Sequence, residues 1–318
     1  MILLWGVAED CPLKATWAAL ERRDAAVFFL DQRRAAETRI ELGADAQGEI
    51  RLGAERCDLS RVTGVYVRSG ESSALTPGAD QDAALDRHAH ALDATVAAFL
   101  DATPARVVNP LEAMASNGSK PYQLALIRAQ GFCTPDTLAT TDPTAVREFL
   151  ARHGQLIYKS LSGVRSIVAR LSPAHLERLA DIVWCPTQFQ QYVPGRDYRV
   201  HVIGEAVFAS EIVCEADDYR YAWREGEAVD LNASALPDAL AGRCRSLAGA
   251  LGLAAAGIDL RLTPGGEWVC FEVNPAPAFT YYEEATGQPM ADAMAALLVD
   301  DASSATALSR GRHRQCAS

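Results

Sequence analysis

The sequence predicts a mixed α/β protein that passes into an α+β arrangement toward its C-terminus. Three observations predict it. Strand and helix patterns alternate through residues 1–107, and a second compact α/β stretch spans about residues 133–185. Further on, two runs of alternating apolar residues flank Thr263-Pro264-Gly265-Gly266. The first pattern implies a parallel sheet with helical crossovers, the last a β-hairpin with a short loop. With 318 residues, 49% of them hydrophobic and 22% charged, the chain can bury a large core in two domains or one elaborate one.

The formal net charge of −11 argues against a general nucleic-acid binder, which needs a basic surface. No apolar run approaches the roughly 20 residues that span a bilayer. Met1 to Gly6 lacks the basic residues and long apolar core of a signal peptide and reads as a first buried strand. The eight cysteines run from Cys11 to Cys316 with no Cys-x-x-Cys pair and no histidines clustered beside them. That spread argues against zinc and fits the reduced thiols of a cytoplasm, the expected location. Of 30 basic residues only Lys14, Lys120 and Lys159 are lysines. An arginine-rich chain that keeps a lysine points to a place where a compact ammonium is wanted.

In chain order, Ile2–Val7, Ala26–Leu30 and Gly64–Arg68 read as core strands, Glu37–Leu52 as a polar β-ribbon, and Pro12–Arg23 and Asp80–Leu100 as helices. The loop after the first strand has no Gly-x-Gly-x-x-Gly, so a dinucleotide fingerprint is absent. Arg68 ends a strand, where open α/β sheets place ligands, although for this residue alone a solvated strand-end arginine is the favoured explanation. Val107 to Pro110 marks a boundary. A turn over Ser116–Pro121 feeds a helix over Tyr122–Gln130 that ends at Gly131, so Lys120 sits near a helix N-terminus. A cation there opposes the helix dipole unless an anion binds too; an exposed lysine is the plain alternative.

Helices are expected over Thr144–His153 and Pro173–Ile182, and strands over Gln155–Ser160 and Val164–Leu171. Lys159 lies inside an apolar strand, a costly position without an anionic partner. The Ser-Leu-Ser-Gly turn after it offers hydroxyls and N–H groups of the kind that cover phosphates, and an ordinary hairpin turn is the competing explanation. Thr187–Val193 is a strand leading to Pro194-Gly195, after which Asp197, Arg199 and His201 share one face of the next. Ala206–Cys214 is a further strand, Asp217–Arg224 an aromatic and charged segment, Leu236–Leu251 a helix and Pro289–Leu298 the last helix. The tail from Asp301 is expected to be disordered.

In the hairpin, pairing Leu262 with Glu267 places Asp259 opposite Cys270, with Glu272 and Asn274 on the same face. Asp259 and Glu272 are then diagonal neighbours about 7 Å apart, suited to sharing hard cations such as Mg²⁺. Ile258, Leu260, Val269, Phe271 and Val273 fall on the opposite, core side. A solvated polar face fits the hairpin alone equally well.

Taken together and in order, these pieces resemble the ATP-grasp superfamily. They are Lys120 before a helix, Lys159 before a Ser/Gly loop, Gln190-Gln191-Tyr192-Val193, Asp197-x-Arg199, Asp259 and Glu272-x-Asn274. Within it the chain is most like the ribosomal protein S6–glutamate ligase and glutathione synthetase branch, and in particular the microviridin-type (graspetide) peptide ligases. That likeness is echoed by Asn109-Pro110, Lys120-Pro121, Gln123-Leu124 and Gly131-Phe132. The resemblance implies an N-terminal α/β domain (1–107), a small lid (108–186) and a larger antiparallel-sheet subdomain (187–300), before the tail (301–318). It implies ATP and two Mg²⁺ ions as cofactors. Lys120, Lys159, Ser162 and Gly163 would hold the phosphates, Gln190, Gln191, Tyr192 and Val193 the adenine, and Asp197 the ribose. Many relatives carry Glu where Gln191 stands. Asp259, Glu272 and Asn274 would hold the metal. Arg199 and Arg220 would serve catalysis, and Arg68, Arg220 and Arg224 the substrate carboxylate. The implied activity joins a carboxylate, through an acyl phosphate, to an amine or hydroxyl of an amino acid or peptide, releasing ADP. No nucleic acid or membrane partner is expected, and a homodimer is the candidate assembly. A nucleotide-binding regulator and an ATP-grasp kinase are the alternatives.

Overall fold

A computed structural model describes residues 1–115, 119–161, 168–214, 226 and 228–300. The expected tail, the Ser162-Gly163 turn, the first half of the expected strand Val164–Leu171 and the segment Asp217–Arg224 lie outside the described residues. The chain divides into two compact units, one of Met1–Leu111 with the chain from Pro289 onward, the other Glu112–Gln288.

In the first unit β1 (Ile2–Gly6), β2 (Val27–Asp31), β6 (Gly64–Val67) and β7 (Arg106–Val108) form a parallel sheet in the order β2-β1-β6-β7. Leu3, Trp5, Phe28, Leu30, Val65 and Val67 put one face of the sheet into a core with Val96, Phe99 and Leu100 of helix α2 (Ala83–Ala102), while Ile2, Leu4 and Tyr66 are buried on the other face. Helix α1 (Cys11–Glu21) starts where the Asp10 carboxylate accepts the Leu13 N–H, and α2 starts the same way at Asp82. The expected polar ribbon is a three-stranded antiparallel sheet of β3 (Thr38–Leu42), β4 (Gly48–Leu52) and β5 (Glu55–Asp58). The last helix, Met290–Val299, packs on α1 and so belongs to this unit, whereas the sequence places it at the end of 187–300.

The second unit contains two sheets. The smaller is β10-β9-β11-β8, built from β8 (Thr137–Thr140), β9 (Leu156–Ser160), β10 (Ala169–Arg170) and β11 (Thr187–Gln191). One of its faces packs Leu156 and Phe189 against Val146 and Phe149 of a helix over Pro143–His153, capped by Asp142. The larger sheet is antiparallel in the order β14-β13-β12-β15-β16. Its strands are β12 (Arg196–Ile203), β13 (Ala206–Val213), β14 (Asp230–Ser234), β15 (Ala255–Leu262) and β16 (Trp268–Asn274). Helix α3 (Lys120–Ala129) contributes Leu124 and Ile127, and a helix over Asp238–Ala250 contributes Cys244 and Leu247, to the core under this sheet. Each sheet therefore buries one face in its own core and turns a polar face away from it.

Candidate active site

The polar face of the larger sheet is set by a β-bulge. Leu262 pairs with Trp268, Arg261 with Val269 and Leu260 with Cys270, but Asp259 pairs with Glu272, Ile258 with Val273 and Gly257 with Asn274. The expected Leu262–Glu267 pairing is thus one residue off, and Phe271 is the extra residue that the bulge absorbs. A strand without the bulge could not bury both Cys270 and Val273, which are three apart, on one face. With it, both enter the core while Phe271 is half-exposed, against the expectation that Phe271 faces inward. The same bulge puts Asp259 and Glu272 directly opposite one another, with Cβ atoms about 5 Å apart rather than diagonal.

Two carboxylates this close repel unless cations attend them. The Arg199 guanidinium, on β12 opposite Asp259, donates to its carboxylate at 2.6 Å. A Cβ added at Gly257 would lie 2.4 Å from an Arg199 terminal nitrogen, so the absence of a side chain there lets the guanidinium lie over the strand. The other attendant comes from the smaller sheet. Lys159 on β9 is buried, and its ammonium stands 3.9 Å from the Glu272 carboxylate. This meets the anionic partner that its apolar strand requires. Lys120, the first residue of α3, donates to the Ser160 carbonyl at 3.3 Å and so lies beside the end of the same strand.

Asp259 and Glu272 offer hard oxygen donors. Among the described residues no group of three or more His, Cys, Asp or Glu gathers. A cation here would rest on two carboxylates and complete its shell with amide, water or phosphate oxygens, as Mg²⁺ prefers. The Asn274 amide oxygen accepts the Ala276 N–H at 2.9 Å, which fixes its orientation and leaves acceptor capacity. The donor set fits such an ion. The buried thiols are unsuited to catalysis, since burial pushes Cys57 up to about 11, Cys244 up to about 12 and Cys270 well up.

Of the remaining expected residues, Gln190 and Gln191 lie on β11 of the smaller sheet, Tyr192 and Val193 follow it, and Asp197 lies on β12 of the larger sheet. Gln190 is buried and donates through its amide nitrogen to the Thr137 hydroxyl at 3.0 Å. The Gln191 amide oxygen accepts the Asp136 N–H at 3.4 Å, and the Tyr192 ring lies under the Arg170 guanidinium. The Val193 carbonyl accepts from Arg261 at 2.7 Å. Asp197 is held in a two-point ion pair by the same Arg261, at 2.6 and 2.7 Å. A carboxylate has about four acceptor sites, so this pairing leaves some of them for a hydroxyl. Arg261 is the residue the sequence analysis missed. Its signal was its place two positions beyond Asp259, on the same face of the same strand.

Arg68 lies in the first unit, where it is paired in two-point fashion with Asp10 at 2.7 and 3.0 Å. Arg220, Arg224, Ser162 and Gly163 lie outside the described residues.

No family model matches the chain, and no curated protein does. Solved structures do. The ATP-grasp ligase PsnB, complexed with a minimal precursor, superposes with a TM-score of 0.79 at 26% identity, over 94% of this chain and 97% of that one. The same ligase with minimal precursor, Mg and ADP gives 0.78 at 25% identity, over 95% and 98%. Macrocyclase MdnC from Microcystis aeruginosa MRC, bound with precursor peptide MdnA, gives 0.79 at 23% identity, over 94% and 99%. Likeness at that last level carries the fold, and the fold agrees with the arrangement described above.

Proposed function

We infer that this chain is an ATP-grasp ligase that uses ATP to activate a carboxylate and joins it to an amine or hydroxyl of a peptide, releasing ADP. One observation carries the reading: the buried Lys159 of one sheet reaches Glu272 of the other, where Glu272 faces Asp259 and Arg199. Two polar sheet faces, bridged by a lysine and lined with paired acids, form a cleft suited to a triphosphate and its metal. The structures of PsnB with Mg and ADP, and with AMPPNP and its precursor peptide, support ATP, Mg²⁺ and a peptide substrate.

The chemistry follows from charge. A carboxylate oxygen attacks the γ-phosphorus, the bond to ADP breaks, and an acyl phosphate results. An amine then forms the bond to the acyl carbon, loses a proton and expels phosphate. Anion meets anion in the first step, so the barrier is electrostatic. Lys120 and Lys159 would neutralise phosphate oxygens, and Arg199 would neutralise the entering carboxylate or the transferring group. Mg²⁺, held by Asp259, Glu272 and Asn274, would supply further charge neutralisation at the phosphates. Asp197 would orient the ribose, and Gln190 to Val193 would line the adenine. Arg220, Arg224 and Arg68 would meet the substrate carboxylate, and the assembly would be a homodimer.

The test is Glu272→Gln, which removes one charge and keeps the shape. ADP formation with a carboxylate-bearing peptide should fall at least about 100-fold, the scale for losing one preorganised electrostatic contact. Circular dichroism should be unchanged. Near wild-type turnover in Mg²⁺ would overturn the assignment of this face.

A further inference from the structure

We propose that the side-chain amide of Gln188 reads the N6/N7 edge of adenine and, with Gln190, makes the site select ATP over GTP. The proposal rests on the nucleotide-binding reading above and adds to it a residue that reading leaves without a role.

Gln188 and Gln190 are two apart on β11 and share a face. The register sets Gln188 directly opposite Lys159 and Gln190 opposite Ile157. Because Lys159 reaches Glu272 on the larger sheet, this is the face turned toward the cleft. Both glutamines are fully buried. Gln190 spends its amide nitrogen on the Thr137 hydroxyl, and its carbonyl oxygen has no partner. Neither amide atom of Gln188 has one. Buried polar atoms are nearly always paired, and unpaired ones are costly, so three orphans on one small surface point to a group that completes them.

The orphans define what that group is. Two are carbonyl oxygens, which need donors, and one is an amide NH₂, which needs an acceptor. Phosphate oxygens at neutral pH have no hydrogens to give and cannot satisfy the two carbonyls. Adenine can. Its N7 acceptor lies beside the N6 amino donor, the edge that a glutamine amide matches with two parallel hydrogen bonds. Gln188 Nε2 donates to N7, one N6 hydrogen goes to Gln188 Oε1, and the other goes to Gln190 Oε1. Guanine carries a carbonyl oxygen in place of the amino group. It would set that oxygen against two protein carbonyls, a mismatch that rejects rather than merely binds less well.

Calorimetric titration of ADP, GDP and inosine diphosphate in Mg²⁺ tests this on the wild-type protein and on Gln188→Met, a change of similar length that deletes the amide. Wild type should bind ADP well ahead of GDP and inosine diphosphate. Gln188→Met should weaken ADP by between about 5-fold and 150-fold, the worth of one two-point base contact, with little change for GDP. The thermal midpoint of the nucleotide-free variant should hold or rise, because an unpaired buried amide has been replaced by an apolar group. An unchanged ADP-to-GDP ratio would overturn the proposal. So would a parallel loss of both nucleotides with a lower midpoint, which marks a structural role. Absence of ADP binding by wild type would bring down the ligase reading itself, an outcome distinct from both.

Discussion

At the scale of single residues, the site is an exchange of charge between two sheets. Lys159 is buried beside Glu272, and a buried ammonium is tolerated only with an anion at hand. Lys159→Ala should weaken nucleotide binding by about 1.5–3 kcal/mol, the range for hydrogen bonds to charged groups. Lys14→Ala, in helix α1 of the other unit, should leave it unchanged. Calorimetric affinities that are equal for wild type and Lys159→Ala would count against a phosphate role. His201 gives a second prediction. It lies on the Asp197/Arg199 face, fully buried, edge-on to the Tyr282 ring, with neither ring nitrogen hydrogen-bonded. Burial, and after it the charge of Arg199, hold its imidazole well below the ordinary value of 6.5. The unfolded chain therefore takes up a proton that the folded chain refuses. The stability contributed by the neutral ring is complete above pH 6.5 and is lost as the pH falls below it. One unit below, the loss is about 1.4 kcal/mol. Urea titrations at about pH 7.5 and about pH 5.5 should show His201→Phe losing that much less than wild type. Equal losses would remove His201 from the account.

At the scale of elements, the edge strand β16 must hold Glu272 and Asn274 in place with a sheet partner on only one side. Gln123 of α3 supplies the other. Its amide donates to the Val273 carbonyl at 2.7 Å and accepts the Val273 N–H at 3.0 Å, continuing the sheet with a side chain. Gln123→Leu would orphan two buried backbone groups and should cost about 2–4 kcal/mol in chemical denaturation, with loss of ADP formation. A cost under about 0.5 kcal/mol would show that Gln123 does not support the strand. Period-2 patterning made this hairpin legible in the sequence, together with the shared face of Asp197, Arg199 and His201. It could not reveal the bulge at Phe271, because a bulge breaks the very alternation from which register is read. Nor could it reveal β14, whose Asp-Leu-Asn-Ala-Ser is too polar to stand out, or the pairing of Asp197 with Arg261, which joins two strands 64 residues apart. Long-range pairing of this kind is a property of the folded sheet, and local pattern does not carry it.

At the scale of the whole molecule, the question is which acceptor the activated group meets. The same cleft chemistry would serve a kinase, in which a hydroxyl attacks the γ-phosphorus and no acyl phosphate ever forms. The net charge of −11 makes a local cluster of cations more telling, since Lys120, Lys159 and Arg199 converge on a region already holding Asp259 and Glu272. Cations spent on a carboxylate nucleophile are what a ligase needs. A kinase acting on a neutral hydroxyl has less use for a buried arginine such as Arg199. Hydroxylamine separates the two, because it intercepts an acyl phosphate to give a hydroxamate and leaves a phosphate ester intact. With ATP, Mg²⁺, hydroxylamine and a peptide bearing Asp or Glu side chains, the protein should release ADP and yield a hydroxamate on one such side chain, detected by intact mass. Arg199→Met should lower hydroxamate yield and ADP release together, since both follow the same activation step. ADP release with a phosphorylated, hydroxylamine-stable peptide and no hydroxamate would replace the ligase with a kinase.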